Sequence, residues 1–306
     1  MLAFIARRLL LAVPTLLVII TLAFGLLHAA PGGPFDADKA MVPEIRAAIE
    51  ARYHLDEPVV VQYLRYLGGI VQGDFGPSFQ YQDTSVTELI AQGLPIDLTI
   101  GLLAMLLALL VGAPLGMLAA LRRDSLWDRL ASTVALLGIS VPVYVTAPVL
   151  ILVFAVTLRW LPAGDWGDGA VRNLVLPVLA LALPYIAYIT RLLRASLLEV
   201  LQTPWVRTAR AKGLPWRTIV LRHALRPALL PLVAFLGPAT VGVITGSIAT
   251  ETSFGLPGIG RFFVDGAFNR DYTLVMGVTI LYGVMIVLAN LLADVCQALL
   301  DPRVRP

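Results

Sequence analysis

The sequence predicts an all-α integral membrane protein with six transmembrane helices, and three observations carry that prediction. First, 58% of the 306 residues are apolar and only 14% are charged, whereas soluble domains run at roughly 45–50% and about 25%. A mean hydropathy of +0.83 agrees. There is too little charge to cover the surface of a water-soluble protein of this size, which argues against a two-domain cytosolic enzyme. Second, uncharged apolar stretches recur that are long enough to cross about 30 Å of hydrocarbon, a distance of about 20 helical residues. Third, Lys and Arg alternate in density between successive connecting segments, the pattern that fixes orientation in a membrane.

The stretches are 9–30, 98–121, 130–158, 173–190, 227–250 and 272–293, of which 173–190 is the shortest. The first follows Arg7 and Arg8 but exceeds the 7–15 residues of a signal-peptide core, and His28-Ala29-Ala30 is a weak cleavage site. It reads as a retained helix. Of the 23 Lys and Arg residues, 15 fall on the side that holds both termini and 8 on the other. Both termini are therefore expected in the cytoplasm. The net charge of +3 matters less than this distribution and gives no reason to expect nucleic acid. The chain divides into an N-terminal helix (1–30), an external segment (31–93), a five-helix membrane domain (94–293) with a cytoplasmic loop at 191–226, and a cytoplasmic tail (294–306).

The external stretch up to Asp97 carries ten acids against four bases. Within it Ile45, Ile49 and Tyr53 recur at helical spacing, as do Val60, Leu64, Leu67 and Val71, which predicts small amphipathic helices. Gly73-Asp74-Phe75-Gly76-Pro77 then reads as a turn. Glycine pairs Gly112/Gly116 and Gly242/Gly246 have the spacing that lets membrane helices approach closely. Prolines within the stretches predict kinks, or a broken helix lining a polar path.

Much chemistry is missing. No Asp, Glu, Lys or Arg lies inside the six stretches, which disfavours a carrier driven by protons or sodium, although backbone carbonyls can hold sodium. His28, His54 and His223 are scattered, and Cys296 is the only cysteine, so no disulfide and no metal-ligand pattern is present. Cys296 reads as a small apolar filler. No Gly-x-Ser-x-Gly elbow and no phosphate loop of the Gly-x-x-x-x-Gly-Lys-Ser/Thr type occurs. The chain should neither bind nor hydrolyse ATP.

The most basic stretch, 191–226, has eight positive residues against Glu199 alone. Positive-inside topology, or a nucleic-acid or lipid-headgroup patch helped by Trp205 and Trp216, would explain its charge but not its punctuation. Thr203-Pro204 offers an N-cap and a first-turn proline. Two helical turns can follow, with Gly213 as the C-terminal stop. Leu214-Pro215 then opens a second helix expected to end at Pro227. A short helix bracketed by stop signals makes a compact knob suited to a partner's groove.

Arg207-Thr208-Ala209-Arg210-Ala211-Lys212-Gly213, followed by Arg222-His223-Ala224-Leu225-Arg226, resembles the coupling loop of ABC-importer permeases of the peptide class. That loop's general pattern is Glu-Ala-Ala, three residues, Gly, nine residues, Ile-x-Leu-Pro. Aligned on Gly213, Ala209 and Leu225 match, while Arg207, Thr208, His223 and Arg226 depart as the peptide subfamily does. Further segments resemble that class in order. They include Ala30-Pro31-Gly32, Gly73 to Ser78, Glu251-Thr252, Gly255-Leu256-Pro257-Gly258-Ile259-Gly260, Asn269-Arg270-Asp271-Tyr272 and Asp301-Pro302-Arg303. Gly32-Gly33-Pro34-Phe35, Tyr53-His54-Leu55 and Gly237-Pro238-Ala239 point within it to the oligopeptide-permease B subunits.

The resemblance implies a type I ABC-importer permease fold in a bacterial inner membrane. It implies a heterodimer with a sister permease, two ATPase subunits that hold ATP and magnesium, and an external peptide-binding protein. The cargo would be oligopeptides, or in the same architecture dipeptides, glutathione or nickel. An ion-coupled secondary carrier is the alternative of another class. The knob would sit in an ATPase groove. The acidic outer segment, with Asp36, Asp38 and Glu44, would dock the binding protein or merely cap the helices. No residue in the sequence identifies the path of the peptide, which could be held mostly by backbone.

Overall fold

The computed structural model describes residues 2–29, 50–51, 53–81 and 83–300. Asp36, Asp38, Glu44, Ile45 and Ile49 lie outside the described residues. The described helices are α1 (Leu2–Ala29), α2 (Val59–Val71), α3 (Val86–Leu121), α4 (Leu126–Ser140), α5 (Val143–Leu150), α6 (Val171–Leu201), α7 (Pro204–Ala211), α8 (Trp216–Thr218), α9 (Leu225–Thr245), α10 (Ile248–Phe254), α11 (Ile259–Phe268) and α12 (Tyr272–Leu300). Wide π-helical turns extend α5 over Ile151–Thr157 and join α8 to α9 over Ile219–Ala224.

Among the described residues five runs are long and apolar enough to cross a membrane: Ile5–Ala29, Val86–Leu121, Val171–Leu201, Trp216–Phe254 and Tyr272–Leu300. The remaining expected span, 130–158, is not one straight helix. Leu126–Ser140 and Val143–Thr157 meet at 103°, so six crossings result only if this bent pair is one span. Pro142 causes the break, because its ring drives the preceding residue out of the α region. Val141 accordingly sits at φ −94°, ψ 116°.

Pro227 does the reverse of what the sequence suggests. The second loop helix does not stop there but runs on into α9. A proline inside a helix removes one N–H and crowds the carbonyl four residues back, here that of His223. That residue lies in the Ile219–Ala224 turn, where the ladder has already shifted and the Leu225 N–H bonds the carbonyl of Val220, five residues back. The wide turn absorbs the proline.

By contacts the described residues form two compact units. One consists mainly of Leu98–Leu256 with the end of α12 from Ile286. In it α3 lies against α6 at the expected glycine pair. A Cβ on Gly112 would come within 2.8 Å of the Ile186 carbonyl oxygen, and one on Gly116 within 2.5 Å of that of Thr190. Backbone contact this close needs hydrogen at both positions, and the Thr190 hydroxyl fills the seam 3.2 Å from the Gly112 carbonyl.

The other unit draws on the described parts of Ala6–Asp97 and on Pro257–Met285. Its core gathers Val86, Leu89 and Ile90 of α3 with Ile259, Leu274 and Val278. α3 begins well before residue 98 because Ser85 and Glu88 form a reciprocal capping box: the Glu88 N–H donates to Ser85 Oγ and the Ser85 N–H to Glu88 Oε2, at 3.2 and 2.9 Å. The expected helix at Val59–Val71 and the turn after it are present, with Gly73 and Gly76 at φ 78° and 87°. Two bonds tie α2 to α1: Thr21 to Tyr63 at 2.6 Å, and His28 to Gln62 at 3.3 Å.

Asp271 holds this unit together. It is fully buried. One carboxylate oxygen accepts from the Ser78 hydroxyl (2.5 Å) and the Phe79 and Gln80 N–H groups (3.0 and 3.2 Å). The other accepts the Leu274 N–H at 3.1 Å and so caps α12. A buried carboxylate with this many donors joins two segments nearly 200 residues apart. Replacing Asp271 with Ala should cost about 2–4 kcal/mol, the sum of a lost cap and unsatisfied buried donors. A marked drop in the thermal unfolding midpoint of the purified protein in detergent checks this; an unchanged midpoint contradicts it.

Candidate functional site

The basic loop folds as its punctuation predicts. Thr203 is extended (φ −67°, ψ 153°) and Pro204 occupies the first turn of α7. The Thr203 hydroxyl does not cap α7; it turns back to the Val200 carbonyl at 2.5 Å. At the other end Gly213 takes φ +73°. The Leu214 N–H reaches the Ala209 carbonyl and the Gly213 N–H that of Arg210, at 3.3 and 2.9 Å. This pair of bonds is the Schellman closure, which favours glycine at the left-handed position. Arg210 then lies over the Trp216 ring, its guanidinium carbon 4.6 Å from the centroid, which braces the return into α8.

Only part of the predicted set is available to a partner. Arg207, Thr208, Arg210, Ala211, Lys212 and Gly213 are exposed, with Trp205 beside them, whereas Ala209 is buried. Val206 and Ala209 form the inner face of α7. They pack into one cluster with Leu193, Leu197 and Val200 of α6, Ile219 and Ala224 of the wide turn, and Ala228 of α9. Ala209 is thus an anchor to the chain's own core and not a contact for a groove. The outer face is cationic, and a Cβ at Gly213 would meet nothing within 4 Å. The arrangement is a short helix packed into the core on one face and cationic on the other.

A second feature, which the sequence reading missed, continues the anchor. Arg194 of α6 pairs with Asp128 of α4 through two hydrogen bonds, Nε to Oδ1 at 2.6 Å and NH2 to Oδ2 at 2.8 Å. Asp128 is 3% exposed and also accepts the Asp124 N–H at 2.9 Å. Arg194 sits between the cluster residues Leu193 and Leu197. The helix that precedes α7 is therefore clamped to α4 of the bent pair. In the sequence, Asp128 lies just outside the uncharged stretch 130–158, and 66 residues separate it from its partner.

Two buried acids also escaped, because the uncharged stretches stop just short of them. Asp97 accepts the Ile259 N–H at 2.9 Å and caps α11. Glu251, 1% exposed, bonds the Ser247 hydroxyl one turn back. Two of the three histidines are engaged locally: His28 stacks on Phe24 at 3.9 Å, and His54 lies 3.3 Å from Glu57. Among the described residues no group of three His, Cys, Asp or Glu gathers to hold a metal ion. A cavity of about 540 Å³ in the unit containing α2 is lined by Tyr53, His54, Tyr66 and Phe79 among others. Burial pushes the Tyr66 phenol up, and its oxygen has no hydrogen-bond partner there.

Comparison with known proteins bears on the family and the fold. A family model described as "binding-protein-dependent transport system inner membrane component" matches residues 112–306, and the model for the N-terminal part of such components matches residues 1–101. The chain is 50% identical over 305 residues to the oligopeptide transport system permease protein OppB of Salmonella typhimurium, with 100% of both chains covered. It is 41% identical over 291 residues to the dipeptide transport system permease protein DppB of Bacillus subtilis, covering 95% of this chain and 94% of that protein. An inward-facing structure of the MetNI methionine ABC transporter matches with a TM-score of 0.55 at 19% identity, over 70% of this chain and 96% of that one. At such identity the likeness shows the fold, that of type I ABC-importer permeases.

The clamp makes a checkable prediction. Arg194→Ala leaves a buried carboxylate without its cation and should cost about 2–3 kcal/mol, whereas Asp128→Asn with Arg194→Gln leaves no charge unpaired and should cost less than Arg194→Ala alone. Unfolding midpoints of the two variants in detergent check the order. A double variant that unfolds at or below the midpoint of Arg194→Ala contradicts a coupled pair.

Proposed function

Because the chain belongs to the family of inner membrane components of binding-protein-dependent transport systems, we propose that it is the permease subunit that passes oligopeptides through the cytoplasmic membrane. It is a membrane-spanning subunit of an ATP-driven ABC importer, and hydrolysis belongs to separate ATPase subunits. The observation that carries the cargo is identity of 50% to an oligopeptide permease along the whole chain. The 41% identity to a dipeptide permease keeps dipeptides as the second reading.

The assembly we propose pairs this chain with a sister permease and two ATPases that hold ATP and magnesium, with an external binding protein delivering the peptide. Both termini face the cytoplasm, in keeping with 15 of 23 Lys and Arg residues on their side. The acidic segment with Asp36, Asp38 and Glu44 faces outward and docks the binding protein. Arg207, Thr208, Arg210, Ala211, Lys212 and Gly213 enter an ATPase groove, and Ala209 fixes that surface to the core. When the ATPases close on ATP they displace α7. Because Val206 and Ala209 share a core with α6, and Arg194 holds α4, the displacement reaches the helices as one body and shifts the balance of inward-open and outward-open states.

Cells lacking this gene should lose uptake of labelled oligopeptides, with uptake in the parent strain not suppressed by excess dipeptide or nickel. Suppression by dipeptide would move the cargo to the second reading. Gly213→Asp should insert and fold at a cost of about 1–2 kcal/mol for a non-glycine residue at positive φ. Its side chain would project into the open space where the ATPase is placed, so uptake should fall at least tenfold while ATP hydrolysis persists. Uptake at the parent rate would contradict the placement of α7.

A further inference from the structure

Two long elements of the unit formed mainly by Leu98–Leu256 start from the α7 end and reach its far end: α6 and the run Trp216–Phe254. α6 has 31 residues, about 45 Å of helix at 1.5 Å per residue. It leads into α7 through Gln202 and Thr203, and the run begins beyond Gly213-Leu214-Pro215. At this end the cluster around Val206 and Ala209 fastens the two elements to each other.

Their far ends are fastened as well, by the segment that joins the π-helical extension of α5 to α6. The last carbonyls of a helix lack an internal donor. In α10, that of Phe254 accepts the Asp165 N–H at 2.7 Å, and Phe254 itself is buried. A Cβ on Gly164 would overlap the same carbonyl, so this approach requires glycine. Asn173, in the first turn of α6, donates from Nδ2 to the carbonyls of Asp165 and Gly164 at 3.1 and 3.5 Å. Asp165 takes φ +79°, a conformation uncommon outside glycine that persists where the surroundings fix it. The segment is thus a bonded joint, held to α6 by a side chain and to α10 by an N–H. Between its two fastenings the run is carried across the break from α9 to α10 by Ser247. The Ser247 hydroxyl donates to the Ile244 carbonyl at 2.9 Å, and the Ser247 carbonyl accepts the Glu251 N–H at 2.7 Å. Two long elements tied at one end can splay or slide; tied at both, they move as a frame.

We propose that Gly164, Asp165 and Asn173 are positioning residues for transport, because the joint they make with Phe254 carries displacement of α7 to the far end of the unit. The inference rests on the coupling reading of α7 and deepens it. Displacing α7 shifts α6 and the start of the run through their common cluster, and the joint keeps their far ends in step. With the joint severed, α6 and the run slip past each other, and ATP is spent without a matching movement at the far end.

The test uses the complete importer reconstituted in liposomes with its binding protein, labelled oligopeptide and ATP. Gly164→Ala and Asn173→Leu should each lower uptake per ATP hydrolysed about fivefold or more, the size of a lost coupling between sites. Asp168→Asn, in the same loop but outside the joint, should leave that ratio unchanged. A merely structural role would reduce the amount of folded importer and not the ratio. A second measurement needs neither joint variant. In a Cys296→Ser background, spin labels on Ala163→Cys and Thr252→Cys, exposed positions on the two sides of the joint, should keep one separation with and without a non-hydrolysable ATP analogue. A parent ratio in Gly164→Ala, or a separation that changes with nucleotide, would overturn the joint and leave the placement of α7 standing. Failure of α7 to reach an ATPase would remove that placement and this inference with it.

Discussion

The inward anchoring of α7 is the constraint on which the rest depends. Eight residues of exposed amphipathic helix would be marginal alone, since helix nucleation is unfavourable and short helices in water gain too few bonds to offset it. Val206 and Ala209 change that by lying in the same cluster as α6, the wide turn and α9. The helix is therefore part of the core and not a flexible loop. A push on its cationic outer face moves the packed helices, because close-packed interiors transmit displacement instead of absorbing it.

Within each unit, carboxylates do the joining where apolar contact cannot. Asp271, Asp97 and Asp128 are each nearly or fully buried, and each accepts backbone N–H groups at the start of a helix. In surroundings poor in water such bonds are strong and directional, and losing one leaves donors unmet. Apolar packing supplies the bulk of the association between helices. The acids decide which segment meets which and at what register. Asp128 adds charge pairing to this role, so that α6 moves with α4.

Much of this was legible in the sequence, for reasons that vary by element. The helix and stop at Pro204–Ala211 and Gly213 could be read because their causes are local: a first-turn proline and a residue free to take positive φ. The Gly112/Gly116 seam was readable for a similar reason, since spacing fixes the face. The long spans followed from hydropathy. The bend at Pro142 and the passage of α9 through Pro227 were not readable, because a proline can break a helix or be absorbed by a wide turn, and the difference lies in the ladder around it. Asp128 with Arg194, and Asp271 with Ser78, were hidden by distance along the chain. The burial of Ala209 had a signal that was passed over: it stands three residues from Val206, on the one apolar stripe α7 possesses.

The most direct measurement of the central claim is site-specific crosslinking between α7 and the ATPase subunits in the assembled importer. Cysteines would be placed singly at Arg210, Lys212 and Val206 in the Cys296→Ser background. The account predicts efficient crosslinking to an ATPase from positions 210 and 212, with a yield that changes on ATP binding, and none from position 206. An importer that works normally while neither 210 nor 212 comes within reach of an ATPase would contradict it.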